Sequence, residues 1–444
     1  MATFQPSNSI ADFPEDLLEK IFHLLPSQSD VVRCKCVCKR WFSLISDPSF
    51  IHHSIHRHHR LQSTPMTLLA QPRRHQIHHC HHCQFQTAPF DDPLESMQQS
   101  RVVVAYCNDL ILYCDTLFHQ SVYRLCNPIT KQLFTLPPPP RRRRRRQETE
   151  VGLICYPSPC NQSRQCCSTN TNNAVYTYKV VRVPRFVGTR KRFDVEIFSS
   201  ETGEWSESKV LSPRRVSFCR RSGNMVPYNR ILHWMDEDGD AIVAYDPLND
   251  PTRCRIIDSP IYNGREYVAR ELLGVSGGRL RVLQLVSWFP FRDWLGSKLC
   301  VWELEDYCSG RWGLPEDQVW LNEVVIPEEE DPELAKLTQG AQPPVSLLGC
   351  HPDDLEVVYL GLPGRVVSCN VSTLTLREVR KLNRNNILRH SSIFPLVHPW
   401  WPTPVHPLSK SEGELLQWNG LNDIPNLIRV MRLDERTPLP YIRT

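Results

Sequence analysis

The chain has 444 residues, 41% hydrophobic and 23% charged, with a net charge of +4. This is an ordinary soluble composition with room for a large core and more than one domain, and the small charge argues neither for nor against a nucleic-acid partner. No run of about 18 apolar residues and no cationic start leading into an apolar stretch is present, which excludes a membrane span and a secretory signal. The 18 cysteines are scattered, several inside apolar runs, so a disulfide-dense secreted scaffold is excluded as well. A reducing compartment, cytoplasm or nucleus, is expected.

Residues 1–11 read as a disordered start, and 12–50 as a small helical module. In "FPEDLLEKIFHLLP" Pro14 suits a first helical turn, and Glu15 and Asp16 complement the helix dipole. Pro26 stops the helix. A second helical pattern follows, with Ser29 as its cap and Asp30 in its first turn. Cys34, Cys38, Trp41 and Ile45 recur at helical spacing until Asp47-Pro48 ends the pattern. The first helix carries two apolar stripes, Leu17, Ile21 and Leu24 beside Leu18, Phe22 and Leu25. One such stripe faces a core. Three large apolar side chains left in water forgo roughly 5–9 kcal/mol, comparable to the stability of a small domain, so a partner surface is expected over the other.

These residues closely resemble the F-box in its plant-type form. Val37, Cys38, Lys39, Trp41, Ser43, Leu44, Ile45, Asp47, Pro48 and Phe50 stand where that pattern places them. Phe13 replaces the usual Leu, Lys35 the usual Arg or aromatic residue, and Phe42 a small or polar one. The resemblance implies a three-helix motif docking on a Skp-type adaptor, and through it on cullin and RING subunits. The adaptor-binding residues it implies are Phe13, Pro14, Leu17, Leu18, Ile21, Phe22, Leu24, Leu25 and Pro26. The expected core is Val31, Cys34, Cys38, Trp41, Leu44 and Ile45. Which stripe faces the adaptor stays open.

Residues 51–99 read as a polar linker holding ten of the chain's 17 histidines. Cys80 and Cys83 form a C-x2-C among five of them, but the usual second ligand pair is missing, so no metal site is assigned. Four prolines and then Arg141, Arg142, Arg143, Arg144, Arg145 and Arg146 lie in an expected solvated loop, 137–150. An import signal and an inert loop expansion are both open readings of the arginines. A second polar loop is expected at 157–173.

From about 100 to 410 the texture is strand-like. Hairpin turns are expected at Asn108-Asp109, both tolerant of positive φ, and at Thr202-Gly203, Asp238-Gly239, Gly277-Gly278 and Pro363-Gly364. A local pattern of strand, polar turn and strand recurs in "LCNPITKQLFTLP", "IFSSETGEWSES", "AYDPLNDPTRCRI", "VWELEDYCSGRWG" and "SCNVSTLTLREV". Repeated strand units of this size indicate propeller blades, six or seven at about 40–45 residues each. The fold class expected is therefore mainly β, a small α module followed by a β-propeller-like domain, with a β-sandwich pair as the alternative. "AYCNDLILY", "CNPITKQLFTLPPP" and "IFPLVHPWWPTPV" are similar to the F-box-associated domain of plant-type F-box proteins. Trp400 and Trp401 are expected to pack on this domain, and 411–444 to form a frayed tail.

No catalytic constellation stands out: there is no nucleophile elbow, zincin, P-loop or dinucleotide fingerprint. "DEDGD" at 236–240 lacks the bidentate Glu of a calcium loop and reads as a charged turn. His233 and His351 read as structural. The resemblance implies a non-catalytic substrate receptor of a Skp–cullin–F-box ubiquitin ligase, without cofactor. It would hold an unknown protein target on the β domain and have no membrane partner. The alternative is a nuclear nucleic-acid- or zinc-binding regulator using the His/Cys tract and Arg141–Arg146.

Overall fold

The computed structural model describes residues 13–25, 28–47, 50, 66–72, 102–115, 120–128, 132–140, 149–157, 176–218, 225–237, 239–260, 267–287, 297–313, 319–321, 345–381, 391–397 and 428–432. Three short helices come first: α1 (Glu15–His23), α2 (Gln28–Cys34) and α3 (Lys39–Ser46). The elements described after them are strands. β1 (Met66–Pro72) is an isolated strand, and its partners come from the far end of the chain.

Five four-strand meanders follow in chain order. The first blade is β2 (Val102–Cys107), β3 (Leu110–Cys114), β4 (Tyr123–Asn127) and β5 (Gln132–Thr135). The second is β6 (Thr149–Pro157), β7 (Tyr176–Pro184), β8 (Arg190–Ser199) and β9 (Glu204–Val216). The third is β10 (Val226–Tyr228), β11 (Ile231–Met235), β12 (Ala241–Tyr245) and β13 (Cys254–Asp258). The fourth is β14 (Tyr267–Ser276), β15 (Arg279–Ser287), β16 (Ser297–Asp306) and β17 (Arg311–Gly313), with the short β18 (Val319–Trp320) also on β16. The fifth is β19 (Ser346–Cys350), β20 (Val357–Leu362), β21 (Arg365–Asn370) and β22 (Thr375–Lys381). In a sixth sheet β1 lies between β23 (Ser391–Val397) and β24 (Ile428–Arg432), antiparallel to both.

The sheets stack face to face, and that explains the unbroken apolar runs. Adjacent residues of a strand point to opposite faces, so a blade with a neighbour on each side needs apolar residues at both. Leu112 packs with Leu153 and Phe198 toward the second blade, whereas Ile111 packs with Leu69, Phe394 and Leu396 of the sixth sheet. In β7 Val180 faces the first blade and Val181 the third. In β15 Val282 faces the third blade and Leu283 the fifth. β23 and β24 in turn meet β19 and β22, so the ring of sheets is closed and the sandwich alternative does not form.

The five local sequence repeats fall at one equivalent place, the turn from the third to the fourth strand of each blade. Asx turns make three of them. Asp246 accepts from the Leu248 and Asn249 amides, Asp306 from Cys308, and Asn370 from Ser372 and Thr373. In the second and fourth blades the fourth strand then carries a tryptophan that donates to the blade before it. Trp205 reaches the Pro137 carbonyl at 2.8 Å, and Trp312 the Asp258 carbonyl at 2.7 Å. Gly277 and Gly278 both have positive φ, as a two-residue hairpin turn needs.

Several expectations change. β1 lies inside the expected linker and β24 inside the expected tail, so the sheet system extends beyond 100–410. A strand whose partners are hundreds of residues away has no hairpin partner beside it to betray it. At the first hairpin only Asn108 has positive φ; Asp109 is buried and accepts from Asn127 at 2.7 Å. The prolines before Arg141 are not simply solvated, because Pro137 holds Trp205. α2 begins at Gln28, which puts Ser29 inside the helix and not at its cap. The His/Cys tract, Arg141–Arg146, Pro26 and Trp400-Trp401 lie outside the described residues.

Candidate functional site

The N-terminal helices set the geometry of the candidate site. The Pro14 carbonyl receives the amides of Leu17 and Leu18, both at 3.1 Å, and starts α1. α3 starts on Cys38, whose thiol accepts from the Trp41 amide at 3.4 Å. It ends on Asp47, extended as the residue before a proline must be. The two helix starts are tied together, since Arg40 donates to the Phe13 carbonyl at 2.8 Å and pairs with Glu15. The core between the helices is Leu18, Phe22, Val31, Leu44, Ile45 and Phe50, flanked by Leu25, Cys34 and Trp41. Phe22 meets Trp41 edge-on at 4.9 Å, and His23 stacks on Phe50 at 4.4 Å.

This packing separates the two stripes. Leu18 and Phe22 are buried and Leu25 lies against them, so these three belong to the core and not to a partner-facing surface. Leu17 and Leu24 stay 43% and 70% exposed, with Ile21 half-buried between them. Phe13, Val37 and Phe42 are exposed too. Pro14 is exposed at the head of α1. Of the expected core residues Val31, Leu44 and Ile45 are buried, and Cys34 and Trp41 are half-buried. Cys38 is on the surface instead, because its thiol is spent on capping α3. Val37 is exposed in the turn after α2, and Phe42 on the outer side of α3. Two of the three family departures meet: the Lys35 ammonium stands 5.8 Å from the Phe42 ring centre.

The blades hold buried polar groups that serve packing. Arg182 pairs with Glu196, donates to the Tyr123 hydroxyl at 2.8 Å, and lies over the Tyr123 and Trp205 rings between the first two blades. Tyr123 in turn donates to Gln120 at 2.8 Å. His233 is fully buried with its Nε2 2.7 Å from the Tyr307 hydroxyl, and burial, aided by Arg255, pulls its pKa down to about 4. His351 Nδ1 accepts two turn amides, from Asp353 and Asp354. Asp236 closes the 236–240 turn by accepting from Gly239 and Ala241. Burial pushes the Cys107 and Cys369 thiols up to about 12 and those of Cys254 and Cys350 to about 11, far from a reactive thiolate. Among the described residues no group of three or more His, Cys, Asp or Glu could hold a metal ion, and no helix is long and apolar enough to cross a membrane.

A family described as "F-box protein At3g26010-like, beta-propeller" matches residues 76–393, and an F-box-like family matches residues 10–58. The chain belongs to the F-box β-propeller family. Similar F-box proteins occur in Arabidopsis thaliana. One bearing an F-box/kelch-repeat name, At1g15680, is 25% identical over 85% of this chain and 87% of its own length. F-box protein At5g49610 is 26% identical over 68% of this chain and 77% of its own. Among solved structures, prolyl oligopeptidase B from Galerina marginata aligns at 10% identity and a TM-score of 0.30, over 62% of this chain and 36% of that one. That likeness is too remote to add to the fold described above. An F-box joined to a propeller is the architecture of a substrate adaptor.

Proposed function

We propose that this F-box protein is the substrate-recognition subunit of a Skp–cullin–F-box ubiquitin ligase. The Leu17, Ile21 and Leu24 stripe docks on the Skp-type adaptor, and the propeller holds a target protein. The observation that carries this is the division of α1 into a buried and an exposed apolar stripe. A helical module this small cannot cover the second stripe itself. The role is positional: a target lysine is kept near a ubiquitin carrier, and the chemistry belongs to other subunits. The described cysteines are free thiols, in keeping with work in the cytoplasm or nucleus.

The test compares two variants of the full chain. Leu17→Ser with Leu24→Ser keeps the fold and abolishes adaptor capture, a loss of several kcal/mol of binding. Phe22→Ser instead unfolds the helical module, at about 3–5 kcal/mol for an emptied aromatic site. Adaptor capture by both variants would overturn the assignment.

A further inference from the structure

The second blade ends in a concentration of positive charge. Arg190, Lys191 and Arg192 open β8 and are all exposed. Arg190 pairs with Val216 and Arg192 with Leu211, so the four residues 212–215 stand opposite Lys191 alone. Pro213, which has no amide to give the ladder, sits in this bulge. Bulges re-aim side chains, and this one delivers Arg214 and Arg215 to the end of β8. Arg215 donates to the Thr189 carbonyl at 3.4 Å, and Arg190 to that of Val187 at 3.4 Å. Arg214 is neutralised by Asp258. Among the described residues no carboxylate pairs with Arg190, Lys191, Arg192 or Arg215. Val187, 75% exposed, stands at the tip of the same turn.

We propose that this end of the second blade, with Arg190, Lys191, Arg192 and Arg215 around Val187, docks a short acidic segment of a target protein. The proposal rests on the receptor reading above and names its substrate class. Unpaired like charges held together are offset when oxyanions arrive. Two observations favour a protein segment over nucleic acid. The nearby ring, Phe186, is stacked on Phe193 and meets Phe218 edge-on, so it offers no platform for a base. The positive region is also short. It borders the third blade, where Asp258 is 78% exposed in its side chain and Asp240 is exposed as well. A long polyanion would run onto these carboxylates, whereas a few acidic side chains match the short extent of the cations. Aspartate or glutamate and phosphoserine present the same oxyanion chemistry.

The experiment measures fluorescence anisotropy of the full chain with short labelled probes. The probes are a glutamate-rich peptide centred on leucine, its phosphoserine counterpart, a glutamine counterpart, and single-stranded DNA. Either or both acidic peptides should bind, more weakly as salt rises. Replacing the four cations (Arg190→Gln, Lys191→Gln, Arg192→Gln, Arg215→Gln) should weaken that binding by about tenfold or more. The control Arg377→Gln, Arg380→Gln, Lys381→Gln on β22 should change it by less than about twofold. The two acidic peptides tell carboxylate from phosphate. If the four-fold variant melts early, Lys191→Gln with Arg192→Gln gives the same comparison on an intact fold. The proposal is overturned if the glutamine peptide binds as well as the acidic ones, if the variant binds undiminished, or if DNA is the tighter ligand at this site. Adaptor capture is scored separately on the same proteins, so its failure with peptide binding intact rejects the receptor reading and not this site.

Discussion

At the scale of single residues, the buried groups of the blades serve as joints, and His233 gives the clearest readout. Its folded pKa of about 4 lies below the value of about 6.5 expected unfolded. The unfolded chain therefore binds a proton that the folded one refuses, and stability falls as pH drops from about 6.5 toward 4. Fully developed, the loss is about 3 kcal/mol. Thermal melting of the full chain between pH 7 and pH 4.5 should show this fall, and His233→Asn should flatten it in the same window. A slope unchanged by the substitution would assign the pH response to other groups. The orientation of α1 is also decided residue by residue. Both of its stripes have the same spacing, so the sequence could not rank them. The choice is made when Phe22 meets Trp41 and Phe50, contacts that exist only once the helices have packed.

At the scale of elements, what could be read early was local. Asx turns are written in a few consecutive residues, and so three of the five strand–turn–strand repeats are legible in the sequence. The basic end of the second blade was not legible. Arg190–Arg192 and Arg215 lie on different strands, and the β8–β9 pairing with its bulge brings them together. The loop from 137 to 150 shows both cases in one segment. Its prolines join the blades through the Pro137 carbonyl, while six consecutive arginines cannot share a packed face. Deleting Arg141–Arg146 should therefore leave melting unchanged. Trp205→Ala should lower stability by about 3–5 kcal/mol, since it empties an aromatic site packed on Phe198 and Tyr123 and removes the bond to Pro137. Equal melting temperatures for the two variants would show that the latch contributes nothing.

At the scale of the whole molecule, the ring is closed by strands from opposite ends of the chain. β1 sits in the middle of the sixth sheet, with β23 on one edge and β24 on the other, and among the described residues no other sheet joins sequence so distant. Its Leu69 packs with Phe394 and Leu396 against Val103, Ile111 and Tyr113 of the first blade. Without β1 that face of the first blade loses the Leu69 part of its cover, at roughly 1.5–3 kcal/mol for each large side chain returned to water. The flanking strands would also be left with unpaired ladder groups, a template for aggregation. A chain trimmed to residues 100–410, the limits that the strand texture alone marks out, lacks both β1 and β24. It should melt well below a chain spanning residues 60–435 and should aggregate on heating, whereas the longer chain should melt in one transition near that of the full protein. Circular dichroism and light scattering on the two fragments decide the matter. If the shorter fragment is as stable as the longer, the ring does not depend on β1 and β24, and the five meanders with β23 hold the propeller together.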